Sequence, residues 1–250
     1  MAAPSPTFRN AQTGNSGSST STTVVVTKPT NLAVNDLMLA VISMREGTNG
    51  GTTTVTPPDG WTVIGYRSSG NASGAQERLA ICWKLATLAD TTATNFTFTL
   101  SATKFVNASI CAYYDCNPIT PINVSDSQDD SSAASTTETA IAVTTTQPNT
   151  TVIRVFGKIT DPTWTEASGT ERVDINSGNN DDGDFTTHAV SDLDQAAAGS
   201  TGTVVGTSNK SSVGCSWTIA IAGLPSFLLN NYQFPRSVSA GIISITEKIR

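Results

Sequence analysis

Charged side chains are scarce in this sequence, and cationic ones are scarcer than anionic ones. Asp, Glu, Lys and Arg make up 14% of the 250 residues, and the acidic excess gives a formal net charge of −6. Lys and Arg do not cluster anywhere along the chain. Because nucleic acids and anionic membrane surfaces are bound through basic patches, the composition argues against both as partners.

Long apolar runs are also absent, and so is the apolar h-region that a secretory signal requires. The sequence therefore predicts neither a membrane-spanning helix nor export, and it indicates synthesis in a reducing cytoplasm. The cysteines, Cys82, Cys111, Cys116 and Cys215, form no C-x-x-C pair and lie in or beside strand-like segments. They are predicted to be reduced thiols that pack as small hydrophobic groups, so the fold is expected to need no disulfide.

Residue types that carry most enzyme chemistry are sparse or poorly placed. His188 is the single histidine, and no G-x-S-x-G motif accompanies it, so no Ser-His-Asp triad is predicted. One histidine and unpaired cysteines do not supply a zinc ligand set. Acidic and aromatic residues are not concentrated in one predicted cleft, which disfavours a glycoside hydrolase. We therefore expect no catalytic residue, no cofactor and no metal site.

The acidic loop NSGNNDDGDF at 176–185 is the segment closest to a calcium loop. Asp181, Asp182 and Asp184 supply carboxylates, but Gly178 occupies a ligand position of the EF-hand pattern and no Glu closes the loop. An irregular calcium site is the alternative here, and a solvated hairpin tip is the favoured interpretation.

Thr, Ser, Asn and Gly build the polar part of the sequence, and they favour strands and turns over helices. Short β-prone runs recur with turn signals between them, and no segment has a clear helical period. The predicted strands lie at 21–29, 37–45, 61–69, 76–86, 95–101, 106–115, 139–145, 151–159, 171–177, 185–190, 202–208 and 213–223. This pattern predicts an all-β fold, a single antiparallel β-sandwich of jelly-roll-like type.

The predicted organisation has three parts: an extended N-terminal segment at 1–20, the sandwich at 21–224 and a C-terminal docking arm at 225–250. An acidic, Ser-rich stretch at 125–135 resembles a linker and leaves open a division into two domains. Strand density is similar on both sides of it, which favours one sandwich. The segment TLADTTA at 87–93 is predicted to be a turn.

The last predicted strand has one bulky face and one small face. The bulky face carries Val213, Cys215, Trp217, Ile219 and Ile221, and the small face carries Gly214, Ser216, Thr218, Ala220 and Ala222. This alternation indicates an internal strand that packs its bulky face toward a core and its small face beneath a neighbouring element.

Tryptophans are predicted to serve mainly the core. Trp61 follows the turn formed by Pro57, Pro58, Asp59 and Gly60, and Trp83 and Trp217 lie in alternating strands. Trp164 lies in the loop-like stretch DPTWTEASG, where it is the best candidate for a carbohydrate contact, although capping of the core is the favoured role.

Three stretches together resemble a known class of protein. They are NDLMLAVIS at 35–43, TPPDGWTVIG at 56–65 with the later AICWKLATLAD and FTFTLS, and SSVGCSWTIAIAGL at 211–224. Over 30–224 the chain resembles a β-sandwich domain that recurs in virion proteins of tailed bacteriophages, among head-decoration (cement) proteins and tail adhesins. The resemblance implies a structural role in the virion without catalytic residues, and it does not distinguish head from tail.

The stretch LPSFLLNNYQFPR at 224–236 places large apolar side chains after the last predicted core strand, and the β-branched segment VSAGIISITEKIR follows it. The predicted interface residues are Phe227, Leu228, Leu229, Tyr232, Phe234, Ile242, Ile243 and Ile245. Two interpretations stay open: the arm covers an edge of its own sandwich, or, as we favour, it docks on a neighbouring subunit.

These observations lead to one favoured function and two alternatives. The favoured protein is non-enzymatic, is made in the bacterial host cytoplasm, and binds the major capsid protein or another virion protein. It would strengthen the assembled head as a dimer or trimer. A tail adhesin that binds a host surface glycan is the first alternative, and a glycan-active enzyme is the least favoured.

Overall fold

The computed structural model describes residues 4–47, 51–70, 74–129, 133–160, 163–166, 168–177 and 185–225. These ranges are almost entirely antiparallel β-structure, which confirms the predicted all-β class. Their strands are β1 (Thr7–Asn15), β2 (Ser21–Thr27), β3 (Leu37–Glu46), β4 (Val55–Thr56), β5 (Thr62–Ser68), β6 (Gln76–Leu85), β7 (Asn95–Lys104), β8 (Val106–Tyr114), β9 (Ile122–Asp129), β10 (Ser135–Ala140), β11 (Thr144–Thr145), β12 (Thr150–Lys158), β13 (Trp164–Glu166), β14 (Thr170–Asn176), β15 (Thr187–Gln195), β16 (Gly199–Ser200), β17 (Val204–Ser212) and β18 (Gly214–Ala222).

The strands form four stacked layers. The N-outer sheet has the order β2-β7-β4, and the N-inner sheet has the order β1-β8-β3-β6-β5. The C-inner sheet follows with the order β14-β15-β12-β18-β9, and the C-outer sheet with the order β10-β17-β13, beside the short pair β11-β16. The chain therefore builds an N-terminal sandwich and a C-terminal sandwich that pack through their five-stranded sheets.

A continuous apolar core fills the N-terminal sandwich. Val24, Phe96 and Phe98 of the N-outer sheet face Met38 and Ile42 of the N-inner sheet. The Trp61 ring closes one end of this core, with ring centroids 5.7 Å from Phe96 and 5.3 Å from Phe98 in edge-to-face geometry. The predicted entry of Trp61 into the core is thus confirmed.

A second core lies between the two inner sheets, and both halves of the chain contribute to it. Leu39, Val41 and Ile81 of the N-inner sheet pack with Val155 and Ile219 of the C-inner sheet. Two glycines allow the sheets to approach closely. A Cβ at Gly65 would lie 3.0 Å from Trp217 Cη2, and one at Gly157 would lie 2.9 Å from Leu79 Cδ2.

The two sandwiches repeat the same strand pairing. In each, the first strand pairs with the last and the second with the second-last, and β3 and β12 lie at the centres of the two inner sheets. The pair Val41 and Ser109 in the N-inner sheet corresponds to Val155 and Trp217 in the C-inner sheet. The displacement is 114 residues on one strand (155 − 41) and 108 on the other (217 − 109).

Irregularities of the backbone repeat as well. β1 has a bulge between Phe8 and Asn10, opposite Tyr113 and Ala112. β9 has a bulge opposite Ile221 and Ala220, which lie 108 residues after Tyr113 and Ala112. The bulges on β2 and β5 recur on β10 and β14. Asn35 and Asn149, which precede β3 and β12, also have positive φ, at 70° and 55°. Because bulges and positive-φ residues are individually uncommon, their coincidence identifies a structural repeat within the chain.

Three local expectations need correction. Thr7–Asn15, predicted to be an extended segment, is a strand paired with β8. Ile122–Asp129, whose second half was interpreted as a linker, is a strand paired with β18. Both are edge strands that are only partly buried, so they need no apolar alternation to pair. TLADTTA contains a helix, α1 (Leu88–Thr92), which a capping box between Thr87 and Asp90 initiates.

The interpretation of the last strand is confirmed. Cys215, Trp217, Ile219 and Ile221 lie in the core between the inner sheets. On the opposite face, Ser216 Oγ donates to the Thr139 carbonyl at 2.7 Å and Thr218 Oγ1 to the Ile141 carbonyl at 2.6 Å, so this small face carries the segment that begins with β10.

We predict that Trp217→Ala lowers the free energy of unfolding by about 3–5 kcal/mol, because it empties space beside Gly65 between the inner sheets. Chemical denaturation monitored by circular dichroism measures the change. Ile119→Ala, at a position that is 74% exposed, is the control and is expected to change stability by less than about 0.5 kcal/mol. Equal stability of the Trp217 variant and the unsubstituted protein would contradict the shared core.

Candidate functional site

Glu77 lies between the two inner sheets with no exposed surface. Its Oε1 accepts a hydrogen bond from Ser43 Oγ at 2.5 Å, and its Oε2 accepts one from Thr186 Oγ1 at 2.7 Å. Asn107 Nδ2 donates to the Thr186 carbonyl in the same cluster. Burial raises the pKa of Glu77 well above its usual value of 4.5, although the two hydroxyls and Arg45 oppose the shift. The group is therefore a hydrogen-bonded link between the sandwiches that favours the neutral acid.

Ser109 and His188 form the contact that most resembles catalytic machinery. Ser109 Oγ lies 2.7 Å from His188 Nε2, and both residues have no exposed surface. His188 Nδ1 has no hydrogen-bond partner, so no carboxylate orients the ring as a triad requires. Burial lowers the pKa of His188 to about 3. The imidazole therefore stays neutral and has no exposed surface.

A third polar group ties the inner sheets at another position. Tyr113 Oη donates to Asp192 Oδ2 at 3.0 Å, and Arg172 Nη2 lies 2.9 Å from Asp192 Oδ1. The Arg172 guanidinium also stacks 4.3 Å above the Phe8 ring. Both halves of the chain therefore contribute to one hydrogen-bonded chain, whose role is to fix the two sheets in register.

These polar links between the inner sheets were not predicted from the sequence. Alternation in β6 places Glu77 on the same side as Leu79 and Ile81, so the sequence does indicate a carboxylate on the apolar face of this strand. What the sequence does not reveal is its partner Thr186, which is distant along the chain and meets Glu77 only because the sandwiches stack.

All four cysteines are buried and unpaired with one another. Burial raises the pKa values of Cys82, Cys111 and Cys116 to about 12 and that of Cys215 well above its usual 9.0. These thiols pack as core groups and are not activated nucleophiles. Within the described ranges, no three His, Cys, Asp or Glu residues are grouped so as to hold a metal ion.

Trp164 does not lie in an exposed loop. It begins β13, is 3% exposed, and stacks on Phe156 with ring centroids 5.7 Å apart. Lys158 Nζ lies 5.5 Å from the centre of the indole. The expectation of a loop position is wrong because three residues suffice to pair β13 with β17. Its ring faces are taken by neighbours of its own chain, which removes the surface that a sugar would stack upon.

A cleft of 530 Å³ lies where the described chain ends. Its lining includes Ala33, Val34, Tyr114, Pro118 and Leu224. Leu224, next to the last described residue, is held there by a hydrogen bond of 3.0 Å from its amide to the Asp115 carbonyl. At the base of the cleft, Arg9 Nη2 donates to Asp36 Oδ1 at 2.9 Å. We call this feature the exit cleft; it presents apolar walls above a neutralised ion pair.

The remaining predicted site residues lie outside the described residues. These are the interface positions Phe227, Leu228, Leu229, Tyr232, Phe234, Ile242, Ile243 and Ile245, together with Asp181, Asp182 and Asp184 of the acidic loop. The docking arm and the calcium alternative therefore stay predictions.

Comparison of this chain with protein-family models, with curated proteins and with solved structures finds no match. Within the part of the chain that the structure describes, no helix has the length and apolar character needed to cross a membrane.

We expect Glu77→Gln to remove a pH dependence of stability. Above pH 4.5 the unfolded chain releases a proton that folded Glu77 retains, so the free energy of unfolding falls as pH rises, by at most about 1.4 kcal/mol per pH unit. Glutamine has no such proton. Denaturation of both proteins between pH 4 and 8 gives the difference in stability, in which His188 and all other shared groups cancel. That difference should grow in favour of the variant above pH 4.5; a constant difference would contradict the assignment.

We also expect the native thiols to be inert. A thiol-specific chromogenic reagent should label none of the four cysteines in native buffer at pH 8 and all four in denaturant, because each is buried with a raised pKa. Thermal melting should be the same with and without reductant. A fall of about 2–5 kcal/mol on reduction, the usual effect of losing a native disulfide, would show that a bridge exists.

Proposed function

We propose that the protein is a non-enzymatic structural protein of a tailed-bacteriophage virion, of the capsid-decoration type, and that it attaches through its C-terminal arm. The observation that carries the proposal is the position of the exit cleft. The apolar segment after Leu224 begins at the rim of this cleft, on a body whose apolar layers are filled by its own strands.

The positions of the exposed apolar side chains support attachment through the C-terminal arm. Large apolar side chains are exposed at only a few described positions, namely Val25, Val34, Leu88, Ile119, Leu193 and Val205. One of these, Val34, lines the exit cleft, and Ile119 directly follows Pro118 of its lining in the sequence. The arm therefore is not needed to complete the cores, and an apolar surface is available where it starts.

The burial of the titratable groups supports a non-enzymatic role. Glu77, Tyr113 and His188, three of the groups with strongly shifted pKa values, are fully buried, and each contacts a polar residue of the other half of the chain. Burial is the largest cause of each of these pKa shifts, which is the pattern of structural groups in a core and not of a solvent-connected catalytic centre. This favours a structural protein over a glycan-active enzyme.

The proposed partners are a second copy of this chain and the major capsid protein or another virion protein. The arm supplies aromatic anchors at Phe227, Tyr232 and Phe234 and a β-prone end that is able to add a strand to an open sheet edge. Burial of a dozen such apolar side chains, at about 1.5–3 kcal/mol each, is ample for a stable junction after ordering costs. The low surface charge suits close packing in a lattice.

We expect deletion of residues 225–250 to leave a folded protein that no longer oligomerises or attaches to the particle. The described strands end at Ala222, so the truncated chain should keep its circular dichroism spectrum and melting temperature. Light scattering and co-sedimentation with particles lacking the protein measure assembly. If the truncated chain still assembles, the arm serves only its own subunit and the docking hypothesis is wrong.

A full-length variant tests whether the apolar side chains of the arm, and not its length alone, are needed for docking. Replacing Phe227, Leu229, Tyr232 and Phe234 by Ser keeps the arm but removes its apolar anchors, and this variant should behave as the deletion does.

The copy number of the protein in purified particles distinguishes a location on the head from one on the tail. Hundreds of copies support head decoration, whereas a few to a few dozen would favour the tail adhesin.

A further inference from the structure

A pit of 310 Å³ opens on the C-terminal sandwich, between the C-inner sheet and the segments that cover its outer side. We call it the Arg154 pit. Its lining includes Val152, Arg154, Ser191, Leu193, Thr201 and Val204. Leu193 is 54% exposed and marks the mouth. The volume lies at the lower end of the range of about 300–1,000 Å³ that is typical of small-molecule sites.

Arg154 is buried in this pit without a charged partner. It is 4% exposed, and its Nη2 donates to the carbonyls of Thr201 at 3.1 Å and Gly202 at 2.8 Å. Its Nη1 has no hydrogen-bond partner. Burial lowers the pKa of Arg154 to about 10, and no carboxylate among the described residues opposes that shift. An unpaired buried donor on a charged group is costly, so the arrangement calls for an acceptor.

Ser191 presents a second unpaired group to the same pit. The residue has no exposed surface, and its Oγ has no hydrogen-bond partner. It lies directly opposite Arg154 in the antiparallel pair of β12 and β15. Buried polar groups usually have a partner, so two unpaired donors side by side at one pit favour an acceptor that a ligand supplies.

The N-terminal sandwich provides an internal control. The residue pair that corresponds to Arg154 and Ser191 is Ala40 and Cys82, which lie opposite each other in β3 and β6. Ala40 and Cys82 belong to one continuous apolar core. In the C-terminal sandwich the core is divided in two, with Phe156 and Trp164 on one side of the pit and Val152 and Val143 on the other. The fold therefore does not require a polar pit at this position.

Two acidic residues also line the pit, but their carboxylates are already bound elsewhere. Asp192 binds Tyr113 and Arg172 in the layer between the inner sheets. Asp194 Oδ1 accepts a hydrogen bond from Thr151 Oγ1 at 2.8 Å. The same outer face also carries Lys158 and Glu138, whose Nζ and Oε1 lie 3.1 Å apart as an ion pair. Arg154 is thus the unbalanced charge of the pit.

We propose that the Arg154 pit binds a small carboxylate, with Arg154 Nη1 and Ser191 Oγ donating to its two oxygens and its carbon substituent resting on Val152, Leu193 and Val204. Two donors match the two oxygens of one carboxylate, and charge-assisted hydrogen bonds of this kind are the strong ones. A phosphate has more oxygens and more charge than these donors satisfy. The apolar walls favour an organic acid.

Binding is tested by thermal unfolding of the full chain at constant ionic strength. Acetate, propionate and glucuronate are titrated against chloride, and the last two distinguish a simple organic acid from a sugar acid. We expect a saturable rise in melting temperature of about 5–10 °C at a concentration 100-fold above Kd for at least one of the carboxylates. The same rise with chloride, or a rise with inorganic phosphate alone, would overturn the proposal.

Variants assign the effect to the pit. Arg154→Met imitates the apolar counterpart sandwich and should abolish the response. Ser191→Cys, which installs the residue found at the matching position of the N-terminal sandwich, should weaken carboxylate binding at least tenfold. If Arg154→Met fails to fold, the Ser191 variant tests the assignment in its place. Arg67→Met is the control, because Arg67 pairs with Asp129 away from the pit. A response that survives Arg154→Met or is lost in Arg67→Met would contradict the assignment.

Discussion

Face-to-face packing of the two five-stranded sheets is the interaction on which the rest of this structure depends. Each inner sheet is covered on one side by a smaller sheet of its own half and on the other by the inner sheet of the other half. Neither half would keep its inner face out of water alone. The close approach of Trp217 to Gly65 and of Leu79 to Gly157 sets the distance between them.

Buried polar groups give that packing a direction. Apolar faces alone would tolerate a range of offsets between two similar sheets, since the hydrophobic effect is not directional. Glu77 with Ser43 and Thr186, and Asp192 with Tyr113 and Arg172, each join side chains from both halves. A shifted sheet would leave these groups buried without partners, which is costly, so they specify one register at some expense in stability.

The structural repeat shows how the same backbone supports different interiors. Matching bulges, pairings and positive-φ asparagines fix the same path in both halves. Yet the pair Val24 and Phe98 in the N-terminal core corresponds to Glu138 and Gly206 in the C-terminal sandwich. One half is a continuous apolar core, and the other contains buried charge and a pit. An attachment role for the whole protein is compatible with a small-molecule site in one half, because the exit cleft and the Arg154 pit are built from different residues.

By itself, the sequence determined the all-β class, most strand positions and the burial of Trp61 and Trp217. These features follow from local alternation and turn residues, which act over a few positions and can therefore be recognised in the sequence. The edge strands β1 and β9 were not predicted because their side chains are only partly buried and follow no clear apolar alternation. The repeat, the partners of Glu77, the burial of Trp164 and the unpaired Arg154 were decided only by the tertiary structure. Packing of the inner sheets joins residues more than a hundred positions apart along the chain, as with Glu77 and Thr186. Side-chain identity also changes between the halves while the strand pairing does not.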